Sequence, residues 1–202
     1  MRIQNPGKHT SSTTISVGYL LKDLLNLADN TREVKYIIRN REIIVDKKKI
    51  KDHRFPVGFY DVVEIPKLNK FYRLYYRVNK SLGLKEISKE ESNYKICKII
   101  SKKLIGTNKV QLTTNDGRVI ITTNIAYKPK ASINLNLEEN TIKEYFPLEK
   151  GREIIVVGGK HIGQTAKIES IKPSTMQRQM LIQLKGSGIE FETTEKNIIV
   201  IN

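Results

Sequence analysis

The stretch that decides the fold is VGYLLKDLLNLADNTREVKYIIRNREIIVDKKKIKDHRFPVGFYDVVEI, from Val17 to Ile65. The leucines of Leu20–Leu27 recur at helical spacing, which predicts a first short helix with one apolar face. A second helix is predicted over Arg32–Arg39, because each residue of Asp29–Thr31 has a short polar side chain that can cap its first turn. Asn40 is expected to end that helix in a left-handed conformation.

Short strands follow the two helices. Ile43–Val45 predicts one strand, Asp46–Lys49 a turn and Asp61–Ile65 a closing strand, with Pro56 and Gly58 interrupting the pattern between them. A helix pair and a strand pair in so short a stretch predict a small unit with one thin hydrophobic core.

This unit has a one-signed charge excess. Between Thr31 and Arg54 the chain has nine cations and four anions. Such charges often form only a solvated face, but an excess supplied by two separate elements favours a phosphate ligand. The cations, taken as candidate RNA contacts, are Arg32, Lys35, Arg39, Arg41, Lys47, Lys48, Lys49, Lys51 and Arg54.

The same residues carry a resemblance. The run LLKDLLNLADNTREVKYIIRNREIIVD resembles the S4-type RNA-binding module: an apolar helix, a helix with basic residues, then I-x-x-x-x-V-x-V. The continuation resembles the S4e family of small-subunit ribosomal proteins of archaea and eukaryotes, in which D-x-x-x-P-V-G-x-x-D-V-I-x-I-P closes the module. The matching residues are Asp52, Pro56, Val57, Gly58, Asp61, Val62, Val63, Ile65 and Pro66.

Composition agrees with a polyanionic partner. The 202 residues have a net charge of +15, and the span 66–147 alone contributes +9. A chain so basic attracts nucleic acid first and anionic membrane second. No apolar run is long enough to span a bilayer, and Met1–Ser16 lacks the apolar core of a secretory signal. The single cysteine, Cys97, excludes an intrachain disulfide; we interpret it as an ordinary strand thiol pointing away from the neighbouring isoleucines.

The middle of the chain predicts strands. Lys67–Lys80 interleaves tyrosines with cations, and Arg73 and Arg77 are candidate RNA contacts there, although the pattern is more typical of a strand with half-buried tyrosines. Leu82–Leu84 is expected to turn. Beyond it, Asp-Gly between β-rich runs predicts a hairpin, and Thr141–Pro147 is expected to be a further short turn. Many short strands suggest a small barrel.

The last part has a glycine-rich loop between two strands. Gly151–Val157 predicts a buried strand, Gly158–Gly163 a tight loop and Ala166–Ile171 the return strand. This order resembles the KOW motif, a small five-stranded barrel that binds RNA or protein. The loop residues Lys160 and His161 are therefore candidate RNA contacts, since glycines bring backbone N–H groups and a lysine close to a phosphate.

Catalytic and metal signatures are missing from the sequence. The three histidines have no partner at metal-ligand spacing, and no nucleotide-binding or nucleophile motif occurs. We expect no enzyme activity, no cofactor and no metal.

The sequence thus predicts an α+β, β-rich fold: an extended leader (1–16), an S4-type RNA-binding module (17–65), a central β-barrel-like domain (66–147) and an SH3-like KOW barrel (148–202). The resemblance implies a structural protein of the small ribosomal subunit, archaeal or eukaryotic and leaning archaeal. It would lie on the cytoplasmic ribosome, bind small-subunit ribosomal RNA beside neighbouring ribosomal proteins, and be monomeric off the ribosome. The alternatives are an RNA-modifying enzyme with an S4-type module, or a transcription or translation factor with a KOW barrel.

Overall fold

A computed structural model describes residues 8–9, 13–40, 43–77, 81–106, 108–175, 179–186 and 190–202. It confirms the predicted α+β, β-rich class, since two short α-helices accompany seventeen strands in the described residues. The chain divides into two compact units. The first comprises Met1–Arg77, Ser81–Lys95 and Asn136–Glu139, and the second comprises Val78–Lys80, Ile96–Leu135 and Asn140–Asn202.

The first predicted helix is shorter than its leucine pattern. α1 (Val17–Tyr19) continues directly as a π-helical segment over Leu20–Leu24, so the helical conformation ends before Leu27. Ser16 caps its start, because its hydroxyl oxygen accepts a hydrogen bond from the backbone N–H of Tyr19 at 3.2 Å.

The second helix forms as predicted. α2 (Thr31–Arg39) begins after Asn30, whose side-chain oxygen accepts hydrogen bonds from the backbone N–H groups of Arg32 (2.9 Å) and Glu33 (3.0 Å). The prediction for Asn40 is wrong: its φ is −74°, outside the left-handed region, and its N–H continues the helical bonding.

The strands of the first unit form one small and one larger sheet. They are β1 (Thr14–Ser16), β2 (Ile44–Val45), β3 (Lys48–Lys49), β4 (Pro56–Gly58), β5 (Val62–Ile65), β6 (Lys70–Tyr76) and β7 (Leu82–Ile87), with 3₁₀ turns at Pro66–Leu68 and Glu91–Asn93. β1 pairs with β4, and the others form an antiparallel sheet of order β3-β2-β5-β6-β7. This sheet continues past Ile65, the predicted end of the first module.

Two turns differ from their predictions. The turn expected over Asp46–Lys49 has only two turn residues, Asp46 and Lys47, with φ of 46° and 64°, which is the left-handed pair of a tight hairpin. The turn expected over Leu82–Leu84 is wrong, because these residues belong to β7. Gly83 pairs with Tyr75 of β6, and the side chain of Arg77 lies over it, with Nε 2.5 Å from the position that an added Cβ would take.

A five-stranded sheet follows, of order β10-β9-β8-β11-β12. Its strands are β8 (Tyr94–Ile105), β9 (Lys109–Thr114), β10 (Val119–Thr122), β11 (Ser132–Asn136) and β12 (Ile142–Phe146). The predicted β9–β10 hairpin is confirmed, with Gly117 at φ 76°. The turn expected over Thr141–Pro147 is wrong, because the chain turns earlier, at Asn140 (φ 54°), and then pairs with β11.

The core of this sheet contains Cys97. Cys97 and Ile99 are both fully buried, so they lie on the same face of the strand. The thiol therefore points away from Ile96 but not from Ile99, and the predicted direction is wrong for Ile99. Since the thiol is buried among apolar side chains, the interpretation as an ordinary strand thiol is retained.

The last sheet has the order β16-β15-β14-β13-β17. Its strands are β13 (Glu153–Val156), β14 (Thr165–Lys172), β15 (Leu181–Lys185), β16 (Glu190–Thr194) and β17 (Ile198–Val200), with a 3₁₀ turn at Glu195–Asn197. All four pairings are antiparallel. Ile154, Ile168, Ile182 and Leu184 lie in one core beneath it. The glycine-rich loop joins β13 to β14, as the sequence predicts.

Candidate nucleic-acid interface

Helix α2 presents a cationic face to solvent. Arg32, Lys35 and Arg39 are exposed, whereas Val34 and Ile38 on the opposite face are buried in the first unit's core. Their spacing of three and four residues places the three cations on neighbouring turns of one surface. This face can accept phosphate groups without any rearrangement of the core.

The hairpin and the segment after it contribute further cations. Lys48, Lys49, Lys51 and Arg54 are exposed, and Arg41 lies outside the described residues. Lys47 differs from its neighbours. Its ammonium group lies 2.9 Å from a carboxylate oxygen of Glu64 and 3.4 Å from one of Glu138, and its side chain is only 22% exposed.

The two arginines of β6 and its end are placed differently from each other. Arg73 is half-buried, and its Nη2 donates to the backbone carbonyls of Glu91 (2.8 Å) and Tyr94 (2.9 Å). Its guanidinium also lies 5.2 Å from the ring centre of Tyr60, a cation–π contact. Arg77 is exposed. Arg73 therefore interacts with groups of the protein itself, whereas Arg77 lies at the surface.

Lys160 and His161 lie in the loop between β13 and β14. Lys160 is exposed, whereas the ring of His161 stacks on Phe191 with 4.2 Å between centroids. Gly159 has a φ of 88°, which lies in a region that is unfavourable for residues other than glycine. The structure thus presents Lys160 on a tight loop that is anchored by the stacked histidine.

Sequence reasoning missed a buried charge cluster in the first unit. Lys95 is 2% exposed, and its Nζ donates to carboxylate oxygens of Asp46 (2.8 Å) and Asp61 (2.5 Å), both fully buried. A buried charge is tolerated when it is paired and hydrogen-bonded. A signal existed for Lys95: it alternates with Cys97 and Ile99, so it lies on the buried face of β8.

The same carboxylates bind two residues of the leader, Lys8 and His9. Lys8 Nζ lies 2.5 Å from Asp46, and His9 Nε2 lies 3.0 Å from Asp61. Each carboxylate also accepts a backbone N–H: Asp46 from Val62 and Asp61 from Gly58, both at 2.9 Å. The cluster thus fastens part of the leader to the module.

Burial and the neighbouring cations have opposite effects on the pKa of Asp46. Burial acts to raise the pKa of this carboxyl, but the ammonium groups of Lys95 and Lys8 outweigh burial and hold it well below its usual range. Asp46 is therefore ionised at neutral pH, and we interpret the cluster as structural.

Two other properties bear on function. None of the helices in the described ranges is long and apolar enough to cross a membrane. The part of the chain that the structure describes also contains no group of three or more histidine, cysteine or acidic side chains placed to hold a metal ion.

Comparison with known proteins gives a consistent result. A model of the ribosomal family S4e matches residues 68–142. The small ribosomal subunit protein eS4 of Nanoarchaeum equitans is 36% identical over 197 residues, covering 98% of this chain and 84% of that protein. The protein of the same name from Methanosphaera stadtmanae is 36% identical, covering 96% of this chain and 80% of its own.

A solved structure is also similar. The crystal structure of the 30S ribosomal protein S4e from Thermoplasma acidophilum superposes with a TM-score of 0.79 at 28% sequence identity. The superposition covers 94% of this chain and 95% of that one. The similarity therefore includes the fold along nearly the whole length.

Proposed function

The chain belongs to the S4e family of ribosomal proteins, and from this premise we propose that it is a structural protein of the small ribosomal subunit that binds ribosomal RNA through basic surfaces. The observation that carries the proposal is the 36% identity to a small ribosomal subunit protein, which spans 98% of this chain. The family is one of structural ribosomal proteins, so the chain is not an enzyme, and the alternative of an RNA-modifying enzyme has no support.

We propose that the exposed cations contact RNA phosphates directly. This role fits side chains that are exposed to solvent, because contacts to phosphate position a protein without any need for base recognition. The proposed set is Arg32, Lys35, Arg39, Lys48, Lys49, Lys51, Arg54, Arg77 and Lys160. For Arg41, which lies outside the described residues, RNA contact stays a prediction from sequence.

Three of the predicted contacts receive a different role in this proposal. Lys47, Arg73 and His161 each interact with protein groups. We propose that they position the hairpin, the β6 strand and the glycine loop, so that their neighbours meet the RNA. Replacement of any of the three should therefore affect stability before it affects RNA affinity.

The domain division also stays a proposal. Three separate hydrophobic cores support an order of S4-type module, central β domain and KOW-like barrel. The sheet that continues from β5 into β6 and β7 makes the boundary between residues 65 and 66 the least supported of the three.

The partners follow from family membership: ribosomal RNA and other proteins of the small subunit, on the cytoplasmic ribosome. We also propose that the free protein is monomeric, because a chain of charge +15 repels a second copy of itself.

Sedimentation of the native protein tests the proposal. We expect one copy per small subunit in sucrose gradients, retained at salt concentrations that remove loosely bound factors. Substoichiometric protein that dissociates in high salt would contradict a structural role and would instead favour a KOW-containing translation or transcription factor.

A further inference from the structure

Helix α2 has an exposed aromatic ring among its cations. Tyr36 is 68% exposed, more than any other large hydrophobic side chain in the described ranges. A single exposed ring is common on protein surfaces, and this one is distinguished by the cations beside it, an arrangement that can stack bases and bind phosphates.

The helix places this ring between two arginines. Arg32 precedes Tyr36 by four residues and Arg39 follows it by three, so all three share one surface. Together with Thr31 and Lys35 they line a shallow surface groove. An aromatic ring and three cations therefore line the same exposed groove.

Other tyrosines of the first unit are used within the protein. Tyr76 stacks on Phe59 with 5.1 Å between ring centres, and Tyr60 lies under the guanidinium of Arg73. Burial raises the pKa of both Tyr60 and Tyr76. Tyr36 forms no ring contact with any described residue, so its face is available to a ligand.

We propose that Tyr36 is a stacking platform for an unpaired RNA base, whose flanking phosphates bind Arg32 and Arg39. The inference rests on the proposed function and deepens it, because phosphate contacts alone would require only the cations. Bases inside an RNA duplex have no free face, whereas unpaired bases in loops and bulges stack on aromatic side chains. The groove on α2 would therefore select an RNA with an extruded nucleotide over a continuous duplex.

An anionic membrane is the other partner that a basic, aromatic surface can bind. Membrane-surface helices bury a wide apolar face, with several aromatic or leucine side chains. α2 instead turns its aliphatic side chains, Val34 and Ile38, into the protein core and leaves one ring outside. The apolar area is too small for insertion, which favours RNA.

The test compares binding of two RNA probes by the full chain. One is a hairpin with a single unpaired adenosine, and the other is the same hairpin fully paired. We expect Tyr36→Ala to weaken binding of the bulged hairpin about tenfold or more and to change binding of the paired hairpin less than about twofold. Tyr36→Phe should retain the affinity, because it keeps the ring.

The salt dependence separates stacking from charge. Tyr36→Ala removes no charge, so the slope of log affinity against log salt should equal that of the unaltered chain. Arg32→Ala, the matched control from the same groove, should lower the slope by about 0.7 to 0.9 for either hairpin. Since Tyr36 is exposed, both variants are expected to retain the unaltered unfolding midpoint.

Any of the following outcomes would overturn the inference. Equal losses on the two hairpins, or none on the bulged one, would show that Tyr36 does not stack on an extruded base. If Tyr36→Ala lost binding only to vesicles of anionic phospholipid, and not to either hairpin, the ring would be assigned to a membrane. Failure of the proposed function is distinguishable, because it would appear in the sedimentation of the unaltered chain, which does not depend on this side chain.

Discussion

Nζ of Lys95 lies 2.8 Å from a carboxylate oxygen of Asp46, and the two side chains are 2% and 0% exposed. The residues are 49 positions apart in sequence. Because Asp61 and Lys8 join the pair, two buried carboxylates have two ammonium partners. Desolvation of such charges is tolerable only while all partners are present.

Lys95→Met should therefore destabilise the fold strongly. The change leaves the carboxylates of Asp46 and Asp61 buried without their shared cation, and loss of one partner from a buried pair costs about 3 to 5 kcal/mol. Chemical denaturation with urea measures the loss as a lower midpoint.

Lys85→Met is the matched control, since Lys85 is an exposed lysine of β7. Its effect on the free energy of unfolding should stay within about 0.5 kcal/mol. Equal midpoints for the two variants would contradict a structural role of Lys95.

Asp46→Asn should cost stability in a pH-dependent way. The pKa of this carboxyl is lower in the folded than in the unfolded chain, so its contribution is complete above the unfolded pKa of about 4 and is lost as pH falls toward the folded pKa. Asn keeps the shape and tolerates the positive φ of this turn.

Urea midpoints of the unaltered and variant chains should therefore differ most at neutral pH and converge below about pH 4. A difference that stays constant into the acid range would show that the charge of Asp46 is not what stabilises the cluster.

Gly58→Ala should release the leader. An added Cβ would be 2.4 Å from Cδ2 of the His9 ring, which rests on this glycine. The backbone of Gly58 is outside the left-handed region, so the ring rather than the backbone opposes alanine. With His9 displaced from Asp61, trypsin should cleave after Lys8 several-fold faster than in the unaltered chain.

A second substitution controls for a general loss of stability. In a His9→Ala background the obstructing ring is absent, so the further change Gly58→Ala should cost little, a non-additive result expected of residues in contact. Additive costs, or unchanged cleavage after Lys8, would show that the ring does not hold the leader in place.

The local elements could be predicted from the sequence, whereas the long-range contacts could not. Asn30 and the buried pair Val34 and Ile38 define α2 within nine residues, and an Asp-Gly pair defines the β9–β10 hairpin. Gly83, however, indicates a turn when considered alone. Its place inside β7 comes from pairing with Tyr75 of β6, which no local pattern reports.

The candidate interface divides in the same way. Exposure of Arg32, Lys35 and Arg39 follows from the helical period, so the sequence was sufficient for that face. Lys47 stands beside Lys48 and Lys49 in one basic run, and only the position of Glu64 on the neighbouring strand separates it from them. Ion pairs between strands have no periodic signature.

Lys98 should make stability depend on alkaline pH. Burial lowers the pKa of its ammonium group to about 8, with Glu195 opposing and Lys130 reinforcing that shift. The unfolded chain retains this proton up to about pH 10.4. Between these values the unfolded state binds more protons, so the folded state gains stability as pH rises.

Lys98→Met removes this gain. The free energy of unfolding of the unaltered chain, relative to the variant, should therefore rise by on the order of 2 kcal/mol between pH 7.5 and pH 10. If this difference in the free energy of unfolding stayed constant or fell between pH 7.5 and pH 10, Lys98 would be charged in the folded state without a penalty from burial.

Lys48 and Lys49 should set the salt dependence of RNA binding, whereas Lys47 should not. Each phosphate contact adds about 0.7 to 0.9 to the slope of log affinity against log salt. Lys48→Ala and Lys49→Ala should each lower the slope by that amount in filter binding to small-subunit ribosomal RNA.

Lys47→Asn is the contrasting variant, and asparagine suits the φ of 64° at this position. It should lower the unfolding midpoint and leave the slope unchanged, because Glu64 already neutralises this lysine. Equal slope losses at all three positions would mean that Lys47 leaves Glu64 to bind RNA.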